Sequence, residues 1–213
     1  MSKCKDSHII IDIGACTGVF SILSSKINPT SNIFAFEPYF FNFERMKRNI
    51  SINQCNNIKI FDYAIGKSNT ILPLTIPVNA RVIDTSSFNS SHSRSIYPEL
   101  DWKSIDVQQI SLDFFADNFL HGQKIDIVKI DVEDHELEVL EGMQQIILVY
   151  KPDIFFESFL TLEKIRFLNE LSRKHGYYSY AIMEDSLVFI DNFTQTKGIN
   201  FLLSKDKNPE RAL

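Results

Sequence analysis

Apolar residues in this chain gather in short unbroken runs, separated by longer stretches in which they recur every three or four positions. A short apolar run rich in β-branched residues reads as a strand buried on both faces. The three-to-four spacing reads as a helix with one buried face. Runs at residues 9–13, 33–36, 58–63, 125–131, 152–157, 177–183 and 200–203 predict seven strands. Between them, Phe20, Leu23 and Ile27 mark the inner face of a first helix, and Phe40, Phe43, Met46 and Ile50 that of a second. Leu137, Leu140 and Ile147 mark a third, for which Asp134 is an N-cap candidate. Leu162, Ile165, Leu168 and Leu171 mark a fourth, closed by His175-Gly176. A short helix is also expected over 111–119. This alternation predicts an α/β fold: a three-layer sandwich around a mostly parallel, seven-stranded sheet whose last strand is antiparallel.

The rhythm breaks between residues 67 and 111, where Pro73, Pro77 and Pro98 fall among polar residues. Alternating segments near 70–76 and 105–112 predict extra strands. The Ser-rich piece at 85–95 reads either as a polar surface loop or as a lid over a ligand. His92 and Arg94 within it carry the same two readings, solvated side chains or contacts to a ligand. A single domain over 1–213 is therefore expected, with an inserted region at about 67–111.

The most informative stretch is Ile9-Ile10-Ile11-Asp12-Ile13-Gly14-Ala15-Cys16-Thr17-Gly18. A buried strand, a loop with Gly at both ends and a helix begin a nucleotide-binding α/β sheet. Gly14 and Gly18 would let the backbone turn tightly and lie against a ligand. A dinucleotide site expects Gly-x-Gly-x-x-Gly, whose pyrophosphate sits on the helix N-terminus. Here the pattern is Asp12-x-Gly14-x-x-x-Gly18, and an acid at the strand end suits a ligand carrying a cation. The pattern resembles motif I of S-adenosylmethionine-dependent methyltransferases. A structural βα turn without a ligand is the alternative.

Glu37 ends the second strand and precedes Pro38, 19 residues beyond Gly18. An acid there accepts hydrogen bonds from ribose hydroxyls; the plainer reading is a solvated acid at a helix start. Asp62 and Ala64, after the third strand, are candidates for contact with an adenine. The run from Ile125 ends in Asp131-Val132-Glu133-Asp134-His135-Glu136 and should lie beside the first strand. Asp131, Glu133 and the Asp12 loop then share one rim, at the switch point where such sheets bind ligands. Asp131, Glu133 and Glu136 also offer carboxylates for a divalent cation, or simply form an acidic first turn. His135 is a base by its titration range or a packing residue. Lys129, inside an apolar strand, needs a carboxylate partner if buried.

Composition narrows the class without choosing the chemistry. The 22 basic and 27 acidic residues leave a net charge of −5, which argues against a broad nucleic-acid footprint. Cys4, Cys16 and Cys55 have no CxxC spacing, so neither a disulfide framework nor a zinc site is expected. No apolar run approaches the roughly 18 residues of a membrane span. The polar first eight residues are not a signal peptide, which makes the cytoplasm the expected compartment. The chain reads as a minimal domain or as part of a longer protein, and its oligomeric state is open.

Taken in order, the motifs resemble the FkbM family of methyltransferases. They are Ile11-Asp12-Ile13-Gly14-Ala15 with Gly18-Val19-Phe20, Ala35-Phe36-Glu37-Pro38, Ala64-Ile65-Gly66, Leu112-Asp113, Lys129-Ile130-Asp131-Val132-Glu133 with Glu136, Leu140-x-Gly142, and the strand end at Glu157. The resemblance implies a class I, Rossmann-like methyltransferase that moves a methyl group from S-adenosylmethionine to a hydroxyl of a sugar, polyketide or other small molecule. It implies Asp12, Gly14, Ala15, Gly18 and Glu37 at the cofactor, with Asp131, Glu133 and Glu157 at the acceptor. One position departs: the family usually has Gly where this chain has Asp134. If the backbone there needs positive φ, Asp tolerates it better than most residues.

Three other readings stay open: a methyltransferase acting on a macromolecule, a non-catalytic cofactor-binding or scaffold domain, and a nicotinamide-dependent oxidoreductase. The glycine spacing opposes the last, and the missing Asn-Pro-Pro-Tyr motif and acidic balance oppose the first.

Overall fold

The computed structural model describes residues 2–78, 99–184 and 186–209. Its strands in chain order are β1 (Ile9–Ile13), β2 (Asn32–Phe36), β3 (Ile58–Phe61), β4 (Ala64–Ile65), β5 (Thr70–Pro77), β6 (Trp102–Ile110), β7 (Ile127–Ile130), β8 (Asp153–Glu157), β9 (Tyr178–Ile182), β10 (Leu187–Ile190) and β11 (Asn200–Ser204). Eight of them form one sheet in the order β10-β9-β11-β8-β7-β1-β2-β3. The five strands from β8 to β3 run parallel, and β11 inserts antiparallel between β8 and β9. The expected sheet of seven thus gains an eighth member, β10, an edge strand antiparallel to β9.

The inserted region does supply extra strands, in a separate small sheet ordered β4-β6-β5. Pro73 sits within β5, which is an edge of that sheet, where a missing backbone N–H is tolerated. The segment 85–95 with His92 and Arg94, and the lid reading it carries, lie outside the described residues.

The α-helices are α1 (Val19–Ile27), α2 (Phe40–Ile52), α3 (Leu112–Phe115), which a π-helical turn continues over Ala116–Leu120, α4 (Glu136–Glu141), α5 (Gln144–Val149) and α6 (Leu162–His175). Alternation along β1 divides the core into layers. Ile9, Ile11 and Ile13 pack with Val139, Leu140, Met143, Ile147 and Leu168, whereas Ile10 packs with Ile33, Phe20 and Ile27. The single helix expected after residue 134 is two, because α4 stops at Gly142 and the Asp113 carboxylate accepts the Gln145 and Ile146 amides to start α5. Asp134 is not its N-cap; His135 occupies that position.

Three residues assigned to inner helix faces are exposed instead. Leu23 is 49% exposed, Phe40 63% and Leu162 73%. In α1 the buried positions are Ser21, Ser24 and Ser25, small side chains that let the helix lie close to the sheet. Phe40 and Leu162 are the first residues of their helices, ahead of the positions that turn to the core.

Candidate active site

The site is built where β1, β2 and β7 end side by side. Parallel pairing places Ile13 opposite Phe36 on one side and Ile130 on the other. The following residues, Gly14, Glu37 and Asp131, therefore emerge on a common rim. Gly14 (φ +71°) and Ala15 both donate their amides to the Phe36 carbonyl. A Cβ on Gly14 would fall 1.8 Å from the Asp131 carbonyl oxygen. That glycine is thus required by the chain's own strand packing, and not only by a ligand's approach. Gly18 starts α1 with φ +83°.

Glu37 is the most enclosed member of the rim, 4% exposed. Its Oε2 accepts the Cys16 amide and its Oε1 the Tyr39 amide, both at 2.9 Å. The carboxylate therefore ties the glycine loop to the start of α2. Burial pushes its pKa up to about 7, against the opposing pull of the Tyr39 and Cys16 amides, the Asn42 side chain and Lys129. Asp62 lies on the exposed connection after β3. Ala64 is buried in the second sheet's core with Tyr39, Leu74, Ile76 and Val107.

Asp12 is fully enclosed. Its Oδ2 accepts the Ser21 hydroxyl at 2.6 Å, and its Oδ1 stands 3.4 Å from the Lys129 ammonium without a hydrogen bond. Asp12 and Lys129 are register partners on β1 and β7, so their side chains share a sheet face. Lys129 also reaches Asp131 Oδ2 at 3.2 Å and donates to the Gly14 carbonyl at 3.2 Å. Burial opposes the lysine's charge, but Asp12 and Asp131 outweigh it and hold its pKa above the usual value. The expected partner of Lys129 is present twice over. Ser21 and Lys129 thus stand against the two oxygens of the Asp12 carboxylate.

On the far side of Asp131, a narrow pocket is lined by Asp131, Glu133, Asp134, Glu136, Glu157 and Lys164, with Ser158 and Phe159 completing it. The Asp131 side chain is about half exposed, 46%. Burial first, and then the like charges of Asp131 and Glu136, raise the pKa of Glu157 despite Lys129. Glu136 is committed: its Oε2 takes the Lys164 ammonium at 2.6 Å and the Ser158 hydroxyl at 3.0 Å, and its Oε1 the Asp134 amide at 2.9 Å. Among the described residues no group of three acidic, His or Cys side chains is arranged to hold a metal ion. The carboxylate set Asp131, Glu133 and Glu136 is thus not assembled around a cation; an ammonium sits on Glu136 instead.

His135 is buried and its Nε2 lies 2.8 Å from Gln109 Oε1 on β6, while its Nδ1 is 3.6 Å from Glu138. Burial lowers its pKa in spite of the surrounding Glu138, Glu136 and Asp134. Through Gln109 it joins the small sheet to the start of α4. Sequence reasoning missed Ser21, Tyr39 and Lys164. For Lys164 a signal existed, since it occupies the i, i+4, i+7 stripe of Leu168 and Leu171.

The model of the methyltransferase FkbM domain matches residues 12–179. Methyltransferase sdnD of Sordaria araneosa is 28% identical over 167 residues, covering 68% of this chain and 64% of that protein. Hexuronic acid methyltransferase AglP of Haloferax volcanii is 28% identical over 151 residues, covering 67% of this chain and 53% of that protein. Methyltransferase 1 of Beauveria bassiana is 26% identical over 149 residues, 65% of this chain and 59% of its own length. The chain therefore spans between 53% and 64% of these relatives. The crystal structure of methyltransferase FkbM from Methylobacillus flagellatus KT superposes with a TM-score of 0.57 at 14% identity, over 93% of this chain and 44% of that one, which shows a shared fold. That fold is the class I methyltransferase sandwich, and with the domain model spanning most of its sequence the chain belongs to the FkbM methyltransferase family.

Proposed function

We propose that the protein transfers a methyl group from S-adenosylmethionine to a hydroxyl oxygen of a small molecule. The observation that carries the reading is the meeting of the glycine loop, Glu37 and Asp131 on one rim at the ends of β1, β2 and β7. The donor set suits the cofactor: an enclosed carboxylate at the end of β2, held open by two backbone amides, has lone pairs left for a ribose diol. When bound, S-adenosylmethionine supplies a methyl group on a cationic sulfonium. Glu37 accepts the ribose hydroxyls, and the Gly14–Gly18 backbone borders the cofactor's amino-acid half. Asp12 acts behind that loop, holding Lys129 and Ser21 rather than the ligand directly.

Acceptor chemistry requires near-attack placement and removal of the hydroxyl proton. Asp131 orients the hydroxyl and takes its proton, with Glu133 beside it. Glu157 shares that pocket, and its raised pKa makes it a stronger base than an ordinary glutamate. The name of one relative, a hexuronic acid methyltransferase, supports a sugar-like acceptor.

Calorimetric titration with S-adenosylmethionine, S-adenosylhomocysteine and NAD, followed by transfer assays on a panel of hydroxylated acceptors, tests the proposal. The adenosyl ligands should bind and NAD should not. Asp131→Asn should keep cofactor binding and lose transfer about a hundredfold or more. Full turnover in that variant removes Asp131 as the base. Failure of the wild type to bind either adenosyl ligand removes the enzyme reading in favour of a non-catalytic domain.

A further inference from the structure

The backbone after Asp131 is strained in an unusual way: Glu133 has φ +43° and Asp134 φ +71°, two consecutive non-glycine residues in the left-handed region. Such residues cost free energy and persist only where surrounding contacts hold them. Here the contact comes from another element. Lys164, in the first turn of α6 and 6% exposed, donates to Asp134 Oδ1 at 2.7 Å and to Glu136 Oε2 at 2.6 Å. Ser158, just past β8, donates to the same Glu136 oxygen. The two segments flanking the acceptor pocket, 131–136 after β7 and 158–164 after β8, are thus bolted together by one ammonium. Burial opposes that charge, and the two carboxylates more than offset it.

We propose that Lys164, through Asp134, is a positioning residue that fixes the strained 133–134 backbone and thereby sets where Asp131 and Glu133 stand against the acceptor. It touches neither Glu37 nor the glycine loop in any contact described above, so its action falls on the acceptor half of the site. The proposal rests on the methyltransferase reading only for the nature of the pocket's ligand; the clasp itself is a property of the backbone.

The test uses Asp134→Asn, Asp134→Gly and Lys164→Met in the full chain. Asp134→Asn keeps a side chain that tolerates the left-handed region but removes the charge, and it leaves Lys164 on Glu136, so the fold is retained. Amide hydrogen exchange over 131–136 should accelerate about twofold to tenfold in Asp134→Asn, whose amide oxygen still accepts from Lys164 but without the opposing charge, with exchange at 14–18 unchanged. Asp134→Gly, which relieves the strain, should exchange less fast than Asp134→Asn. S-adenosylmethionine affinity should not move. In a transfer assay with a responding acceptor, Lys164→Met should raise the acceptor KM in the wild-type background and have a smaller effect when combined with Asp134→Gly. Unchanged exchange over 131–136 in Asp134→Asn overturns the proposal. So do equal effects of Lys164→Met in the two backgrounds. Absence of cofactor binding in the wild type overturns the enzyme reading instead, and the exchange result stands apart from it.

Discussion

Glu37 gives the sharpest quantitative test. Its pKa of about 7 compares with 4.5 for an ordinary glutamate, and burial is the leading cause. Below pH 4.5 the carboxyl is neutral whether the chain is folded or not, and it costs nothing. Between 4.5 and 7 the fold keeps a proton that the unfolded chain has released. Above 7 both are ionised, and the fold carries the full penalty of an enclosed charge, about 3 kcal/mol at about 1.4 kcal/mol per unit. Stability should accordingly fall as pH rises from 4.5 to 7. A ribose diol donating two hydrogen bonds favours the ionised form, so binding should expel a proton. With a free-state pKa near 7, the ionised fraction rises from about a tenth at pH 6 to about nine tenths at pH 8, and the Kd for S-adenosylhomocysteine should tighten about tenfold. Any titration of the ligand itself adds to the observed pH dependence, so the comparison must be with Glu37→Gln. That variant should bind about ten- to a hundredfold more weakly at pH 8 and keep only the ligand's contribution to the pH dependence. Its carboxamide also sets an NH2 against the Cys16 or Tyr39 amide, so urea unfolding should accompany each titration. Calorimetry in buffers of differing ionisation enthalpy counts the protons directly. An equal pH dependence in both proteins, with no proton release attributable to Glu37, would refute the reasoning.

Two further substitutions probe the frame. A Cβ on Gly142 would lie 1.9 Å from the backbone oxygen of Gly66, so Gly142→Ala must push the segment after β4 off the α4–α5 joint. It should cost about 1–3 kcal/mol in urea unfolding, and a variant as stable as the wild type would show that the two segments are not in that contact. Lys129→Met leaves Asp12 enclosed with only the Ser21 hydroxyl and should destabilise the fold by about 3–5 kcal/mol. The double variant Lys129→Met with Asp12→Asn should recover much of that loss; no recovery would mean that the pair is not what Lys129 sustains.

How much of this was legible in the sequence depends on where each residue sits in the sheet. The parallel strands could be read because burial on both faces turns them into unbroken apolar runs, as in β1 and β7. β10 could not: it is four residues long, at an outer edge, with Val188 48% and Phe189 54% exposed, so burial imposes no pattern on it. Helix faces were misread where short helices turn serines to the sheet, as in α1. The left-handed backbone at Asp134 was foreseen as a condition, and the structure meets it at φ +71°.

The site itself shows a more general limit. Carboxylates at strand ends announce a rim, but the sequence does not say which of them face a ligand and which hold another part of the chain. Two lysines resolve that division. Lys129 and Lys164 each stand where the pattern calls for an apolar side chain, and each is held by two carboxylates. Each withdraws one acid wholly into the structure, Asp12 behind the glycine loop and Glu136 in the pocket beyond Asp131. Asp131, joined to Lys129 but about half exposed, remains to face the pocket with Glu133 and Glu157. A buried lysine is therefore the better guide to an acid's role than the acid's own position in a motif. Its cost of burial demands a committed partner, and that partner is then less free to hold a substrate.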